Sequence, residues 1–105
     1  MSDLINQDIN KIADFEAATD LELKHTPSVE RLGNAVKVTM GLKGIAHPQT
    51  EEHLIEWIRV YVEGELVGEA AFGADDTPTA EFEVASKGEL VVLAFCNLHG
   101  IWQAI

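Results

Sequence analysis

From about residue 28 onward the chain alternates apolar and polar side chains, and its one cysteine, Cys96, leaves it no internal cross-link to hold what that alternation builds. In "NAVKVTMG", Val36, Val38 and Met40 alternate with Lys37 and Thr39, which gives a strand one buried and one wet face. "HLIEWIRVYVEGELVGEAAF" reads as two strands around Glu63–Gly64, the place for a hairpin turn. "TAEFEV" alternates through Phe82 and Val84, and "GELVVLAF" is nearly continuous apolar, as in a strand covered on both faces. Pro27, Pro48 and Pro78 fall between these runs. Strands this short and closely spaced predict an all-β fold, an antiparallel β-sandwich of immunoglobulin-like kind, with a small barrel as the alternative. The length of 105 residues suits one domain, 1–105, with one core. A short N-terminal helix is expected over residues 8–18, "DINKIADFEAA", where Ile9, Ile12, Ala13 and Phe15 share a stripe behind an Asp8 cap.

Composition then narrows the function. Apolar residues make up 47% of the chain, enough for a real core. A single cysteine excludes an intramolecular disulfide framework and any metal cage made of cysteine pairs. No run approaches the roughly 18 apolar residues of a membrane span. "MSDLINQDINKIADFEAATD" lacks the basic start and apolar run of a secretory leader, so a soluble, cytoplasmic protein is expected. The formal charge is −11, from 18 acidic and 7 basic residues. That balance argues against nucleic acid or an anionic membrane as partner. An anionic substrate would need a local positive site to reach the protein against this field.

Four histidines remain to be accounted for: His25, His47, His53 and His99. Singly, each reads as an ordinary loop or strand-edge residue, and Cys96 as a buried thiol. His25 falls in a turn-like stretch before Pro27, His47 in a loop before Pro48, and His53 at the opening of a strand. Together they are harder to dismiss. Cys96-x-x-His99 brings a thiolate and an imidazole to one point at a strand end, and His47 and His53 flank a loop that folds toward one ion. One soft thiolate and up to four imidazoles suit iron, copper or zinc, and do not suit calcium or magnesium.

Three blocks decide among these metals. "LKHTP" (Leu23–Pro27), "HPQTEEHLIEWI" (His47–Ile58) and "FCNLHGIW" (Phe95–Trp102) resemble the superoxide reductases of the neelaredoxin group, whose domain also forms the C-terminal half of desulfoferrodoxins. The likeness in order, spacing and flanking residues runs over roughly residues 20–102. The resemblance implies a seven-stranded immunoglobulin-like sandwich around a mononuclear non-haem iron. His25, His47, His53 and His99 would be its four equatorial ligands and Cys96 its axial thiolate. It implies reduction of superoxide by one electron to hydrogen peroxide, with iron cycling between Fe(II) and Fe(III). Rubredoxin or a similar small donor would return the electron, and the assembly would be a homotetramer. With no further cysteine for a second iron domain, the chain resembles the one-iron class.

Other residues take their roles from the same likeness. Lys24 matches the family lysine and is expected to attract superoxide and to orient a proton-donating water. The amides of Leu98 and His99 are expected to point at the Cys96 sulfur. Trp57 and Trp102 read as core packing near the ligands. The family's usual Glu before that lysine, a sixth iron ligand in the oxidised state, is here Leu23. Glu22 lies one place further from Lys24, and in extended chain a shift of one residue faces it the other way. Two rivals stand against this reading. A cupredoxin-like electron carrier would add a Met after His99, where Gly100 to Ile105 contain none. A zinc-stabilised binding sandwich would have a closed, colourless site.

Overall fold

The computed structural model describes residues 9–43, 45, 47–84 and 88–104. Two sheets face each other. β1 (Ile9–Asn10), β4 (Ile55–Val62), β5 (Glu65–Ala71), β7 (Leu90–Cys96) and β8 (Gly100–Gln103) form one, in the order β1-β8-β7-β4-β5. β2 (Pro27–Leu32), β3 (Ala35–Met40) and β6 (Thr79–Glu83) form the other, in the order β2-β3-β6. Every pairing is antiparallel except that of β1 with β8. The expected all-β sandwich is therefore what the chain forms.

The alternation read from the sequence sorts side chains between the sheets. Val36, Val38 and Met40 of β3 meet Ile58, Val60 and Val62 of β4 and Val92, Ala94 and Cys96 of β7 in one apolar core. Such burial is worth roughly 25 cal/mol per Å² of apolar surface removed from water. β7 is also covered on its other face, where Leu93 packs with Tyr61 and Ile101. The hairpin turn falls at Glu63–Gly64, with φ of 49° and 81°. Positive φ at both centres gives the turn the twist of the strands it joins.

β4 carries a bulge where it reaches the cysteine. Ile55 pairs with Cys96, but Trp57 pairs with the adjacent Phe95. The extra residue, Glu56, reverses the parity of the strand. Ile55 therefore faces the inter-sheet core with Cys96, while Trp57 joins Phe95 on the outer face at a ring distance of 5.6 Å.

The N-terminal region departs from expectation. In place of a helix over 8–18, residues 9–10 pair with Ile101 and Trp102, and Phe15–Ala17 make a single 3-10 turn; Asp8, the expected cap, lies outside the described residues. The apolar stripe does not close, because Ile12 is buried while Ile9 and Phe15 are exposed. The helix forms one step later, as α1 (Asp20–His25). Its signal is the capping box Thr19-x-x-Glu22. The Thr19 hydroxyl accepts the Glu22 amide at 3.2 Å, and the Glu22 carboxylate accepts the Thr19 amide at 2.9 Å.

Candidate metal centre

Three separate segments bring the four histidines to one end of the sandwich. His25 is the last residue of α1, where helix geometry and not a turn positions it, and it is fully buried. His47 and His53 stand at either end of the loop that leads into β4. His99 lies in the turn between β7 and β8, three residues after Cys96 ends β7. The positive φ of Gly100 (84°) closes that turn.

The rings form a closed cycle. Between successive neighbours His25, His47, His53 and His99 the centroid distances are 4.5, 4.6, 5.1 and 4.6 Å, the last closing back to His25. Each ring is turned from the next by 62° to 83°. Across the cycle His25 and His53 are nearly parallel, at 29°. Four imidazoles disposed this way face a common axis.

Hydrogen bonds select which nitrogen faces it. His25 Nδ1 donates to the Leu21 carbonyl at 2.6 Å, and His47 Nδ1 to the Pro48 carbonyl at 2.5 Å. A carbonyl only accepts, so these nitrogens carry the protons and each Nε2 keeps a free lone pair. The Nε2 atoms of His25, His47 and His53 are buried and have no hydrogen-bond partner. Buried polar atoms are normally satisfied, so three orphans on one cycle point to an ion as the missing partner. One donor atom from each of His25, His47, His53 and Cys96 lies within 4.8 Å of all the others. Donors on opposite sides of an ion at about 2.0–2.3 Å are separated by a little over 4 Å, so one ion fits among them.

His99 borders this group and turns its Nδ1, not its Nε2, inward. That nitrogen is 3.8 Å from Cys96 Sγ. Among the described residues it is the polar group at hydrogen-bonding range of the sulfur; neither the Leu98 nor the His99 amide reaches it. The sulfur is fully buried.

Burial favours the neutral form of His25, His47 and His53. Burial pushes the pKa of His25 down from 6.5 to about 4, and the neighbouring His99 and His53 and the Lys24 charge add to that fall against the pull of the Leu21 carbonyl. Burial brings His47 to about 4 as well, with His25, His53 and Lys24 pressing the same way. His53 is lowered too, by burial and then by His99 and Lys24. A neutral imidazole is the ligating form. Lys24 thus acts on three of the rings from its place in α1.

Among the described residues, the group of close donor atoms contains no carboxylate. Glu22 has its oxygen committed to the helix cap, which keeps it from the centre for a helical reason and not for the extended-chain parity expected from sequence. Leu23, beside it, is buried. Trp102 lies against the centre itself. Its ring stacks on His25 at 5.4 Å, and its indole N–H donates to the His99 carbonyl at 3.0 Å. Trp57 stays on the outer face, under the guanidinium of Arg59 at 4.0 Å.

Sequence reasoning did not find Asn10, Gln49 and Asn97. Asn10 Nδ2 donates to the carbonyls of His99 and Ile101, at 3.3 and 3.1 Å. Gln49 pairs its carboxamide with both backbone groups of Ile55, each at 3.0 Å. Asn97 bridges the two ligand-bearing loops. No local pattern marks such residues, because their partners lie in other elements of the fold.

Fold and side chains together define a β-sandwich protein with a mononuclear histidine–cysteine metal centre. Residues 17–105 match the family model described as Desulfoferrodoxin, and the chain belongs to that family. It is 40% identical over 95 residues to a superoxide reductase of Pyrococcus abyssi, covering 76% of this chain and 83% of the relative. It is 34% identical over 118 residues to a neelaredoxin of Megalodesulfovibrio gigas, covering 86% and 90%. Among solved structures, the reduced superoxide reductase (neelaredoxin) of Archaeoglobus fulgidus superposes with a TM-score of 0.70 at 32% identity, over 91% of this chain and 94% of that one.

Proposed function

We propose that the protein is a superoxide reductase of the one-iron class, acting through a single domain. The observation that carries the reading is the set of three orphaned Nε2 lone pairs facing one point beside a buried thiol. The donor chemistry fits iron, and the superoxide reductases among its relatives favour iron over copper or zinc. His25, His47 and His53 would hold it through Nε2, His99 through Nδ1 and Cys96 through Sγ. When bound, iron supplies the redox couple that converts superoxide, one electron and two protons into hydrogen peroxide.

The chain's own residues do the rest. Cys96 supplies a soft, electron-rich donor whose burial excludes water from the sulfur. The two Nδ1–H bonds to Leu21 and Pro48 hold two imidazoles in the ligating tautomer. Lys24 places a positive charge at the centre of a chain whose net charge is −11, so superoxide meets local attraction within a repelling field. With Leu23 in the family's Glu position and Glu22 held in the cap, α1 offers the centre no carboxylate. The resting oxidised site would then be open or hold water or hydroxide. A small donor such as rubredoxin returning the electron, a cytoplasmic location and a homotetrameric assembly complete the proposal.

Metal analysis with a visible spectrum of the oxidised protein, followed by mixing of the reduced protein with pulse-generated superoxide, tests it. One iron per chain, a thiolate charge-transfer band and peroxide formed without oxygen are expected. A colourless zinc protein inert to superoxide would sink the reading.

A further inference from the structure

One side chain of the cysteine-bearing turn grips both neighbours of His53. Asn97 Nδ2 donates to the Glu52 carbonyl at 3.0 Å, and its Oδ1 accepts the Leu54 amide at 2.9 Å. Its own backbone N–H donates to the Leu54 carbonyl at 3.2 Å. A carboxamide offers a donor and an acceptor in one plane, as a peptide group does. Here it extends the β4–β7 ladder past its last backbone pair, Ile55 with Cys96.

The other bonds of this loop do not reach the cysteine segment. Thr50 and His53 exchange backbone hydrogen bonds at 3.0 and 3.3 Å, and Gln49 ties the loop to Ile55 and to the Gly73 carbonyl at 3.1 Å. These fix the loop's shape. Asn97 fixes where it stands relative to Cys96.

We infer that Asn97 is a positioning residue that sets the separation of the His53 imidazole and the Cys96 thiolate before any metal enters. The inference rests on the metal-centre reading above. Asp at this position keeps the acceptor for Leu54 but loses the donor and sets a carboxylate against the Glu52 carbonyl. Ala loses both bonds.

Cobalt(II) is the probe, because its thiolate charge-transfer band reports the metal–sulfur bond without turnover. The full chain, Asn97→Ala, Asn97→Asp and Gln49→Ala are compared for Co(II) affinity by chelator competition, for band position at saturation, and for apo-protein melting. Both Asn97 variants should bind Co(II) about 10–100-fold more weakly, the range for lost outer-sphere partners, and should shift the band. Gln49→Ala, which loosens the same loop without touching the cysteine turn, should leave the band in place. Parent affinity in the Asn97 variants, weaker binding with an unmoved band, or an equal shift in Gln49→Ala would each overturn the inference. If Asn97→Ala does not fold, Asn97→Asp, which keeps the volume and the Leu54 bond, carries the comparison. A parent chain that binds Co(II) with no thiolate band would instead defeat the metal-centre reading, so the two failures are separable.

Discussion

The indole of Trp102 lies 5.4 Å from the imidazole of His25, nearly parallel to it. The same indole donates to the carbonyl of His99, so one side chain braces histidines contributed by α1 and by the β7–β8 turn. Its burial is core packing, as the sequence suggests, but packing whose neighbour is the metal centre. Trp102→Phe keeps an aromatic ring against His25 and removes the donor. The variant should lose about 1 kcal/mol of stability and melt earlier, with His99 the freed residue. Nuclear magnetic resonance of the apo protein should show the His99 imidazole signals broadened or displaced and those of His47 in place. Unchanged His99 signals would show that the tryptophan does not hold this imidazole.

Lys24 presses electrostatically on His25, His47 and His53. Lys24→Ala should slow the bimolecular reaction with superoxide by about 10-fold at low ionic strength, at the lower end of steering effects. It should also flatten the dependence of that rate on salt. Stopped mixing or pulse radiolysis at two ionic strengths reads both effects. Equal rates and slopes in the two proteins would remove Lys24 from the mechanism.

Buried histidines make the apo protein acid-sensitive. His25 and His47 have folded values of about 4 against 6.5 in the unfolded chain. Between these values the unfolded state binds more protons, so stability rises with pH across the window. The contribution is fully present above pH 6.5 and is lost as pH falls toward about 4. Circular-dichroism melts of metal-free protein should be flat from pH 7 to 8 and decline steeply below 6.5. His25→Gln should weaken that decline, and an identical decline would assign it elsewhere.

The capping box makes Glu22 a structural residue. Thr19→Ala should cost about 1 kcal/mol through the six-residue helix that carries Lys24 and His25. Glu22→Gln retains the box, since Gln at this position also reaches back to the cap. It should therefore leave both the melting temperature and the visible spectrum of the iron-loaded protein unmoved. A spectral shift in Glu22→Gln would mean that its carboxylate reaches the metal after all.

Much of this candidate centre was legible because its histidines and cysteine come in short blocks. His47 and His53 share one loop and Cys96 and His99 share one turn, so spacing alone carries their proximity. Strand identity was legible for a similar reason, since the alternation at Val36, Val38 and Met40 is local and repeats. His25 was misplaced as a turn residue because a six-residue helix is too short to print a stripe. The Thr19–Glu22 box was the available signal. The Glu56 bulge and the Asn97 clamp left no local mark. Both depend on which residue of a distant strand stands opposite, and that is decided only when the sheets assemble.

The complete burial of Cys96 has a chemical consequence. A superoxide reductase makes hydrogen peroxide within the same small molecule as its thiol, and peroxide oxidises accessible thiolates to sulfenic and then irreversible acids. Susceptibility follows exposure. A sulfur buried in the apolar core beside the imidazole of His99 should yield to its own product slowly. The depth at which the chain sets its one thiol thus governs how many turnovers a single molecule survives.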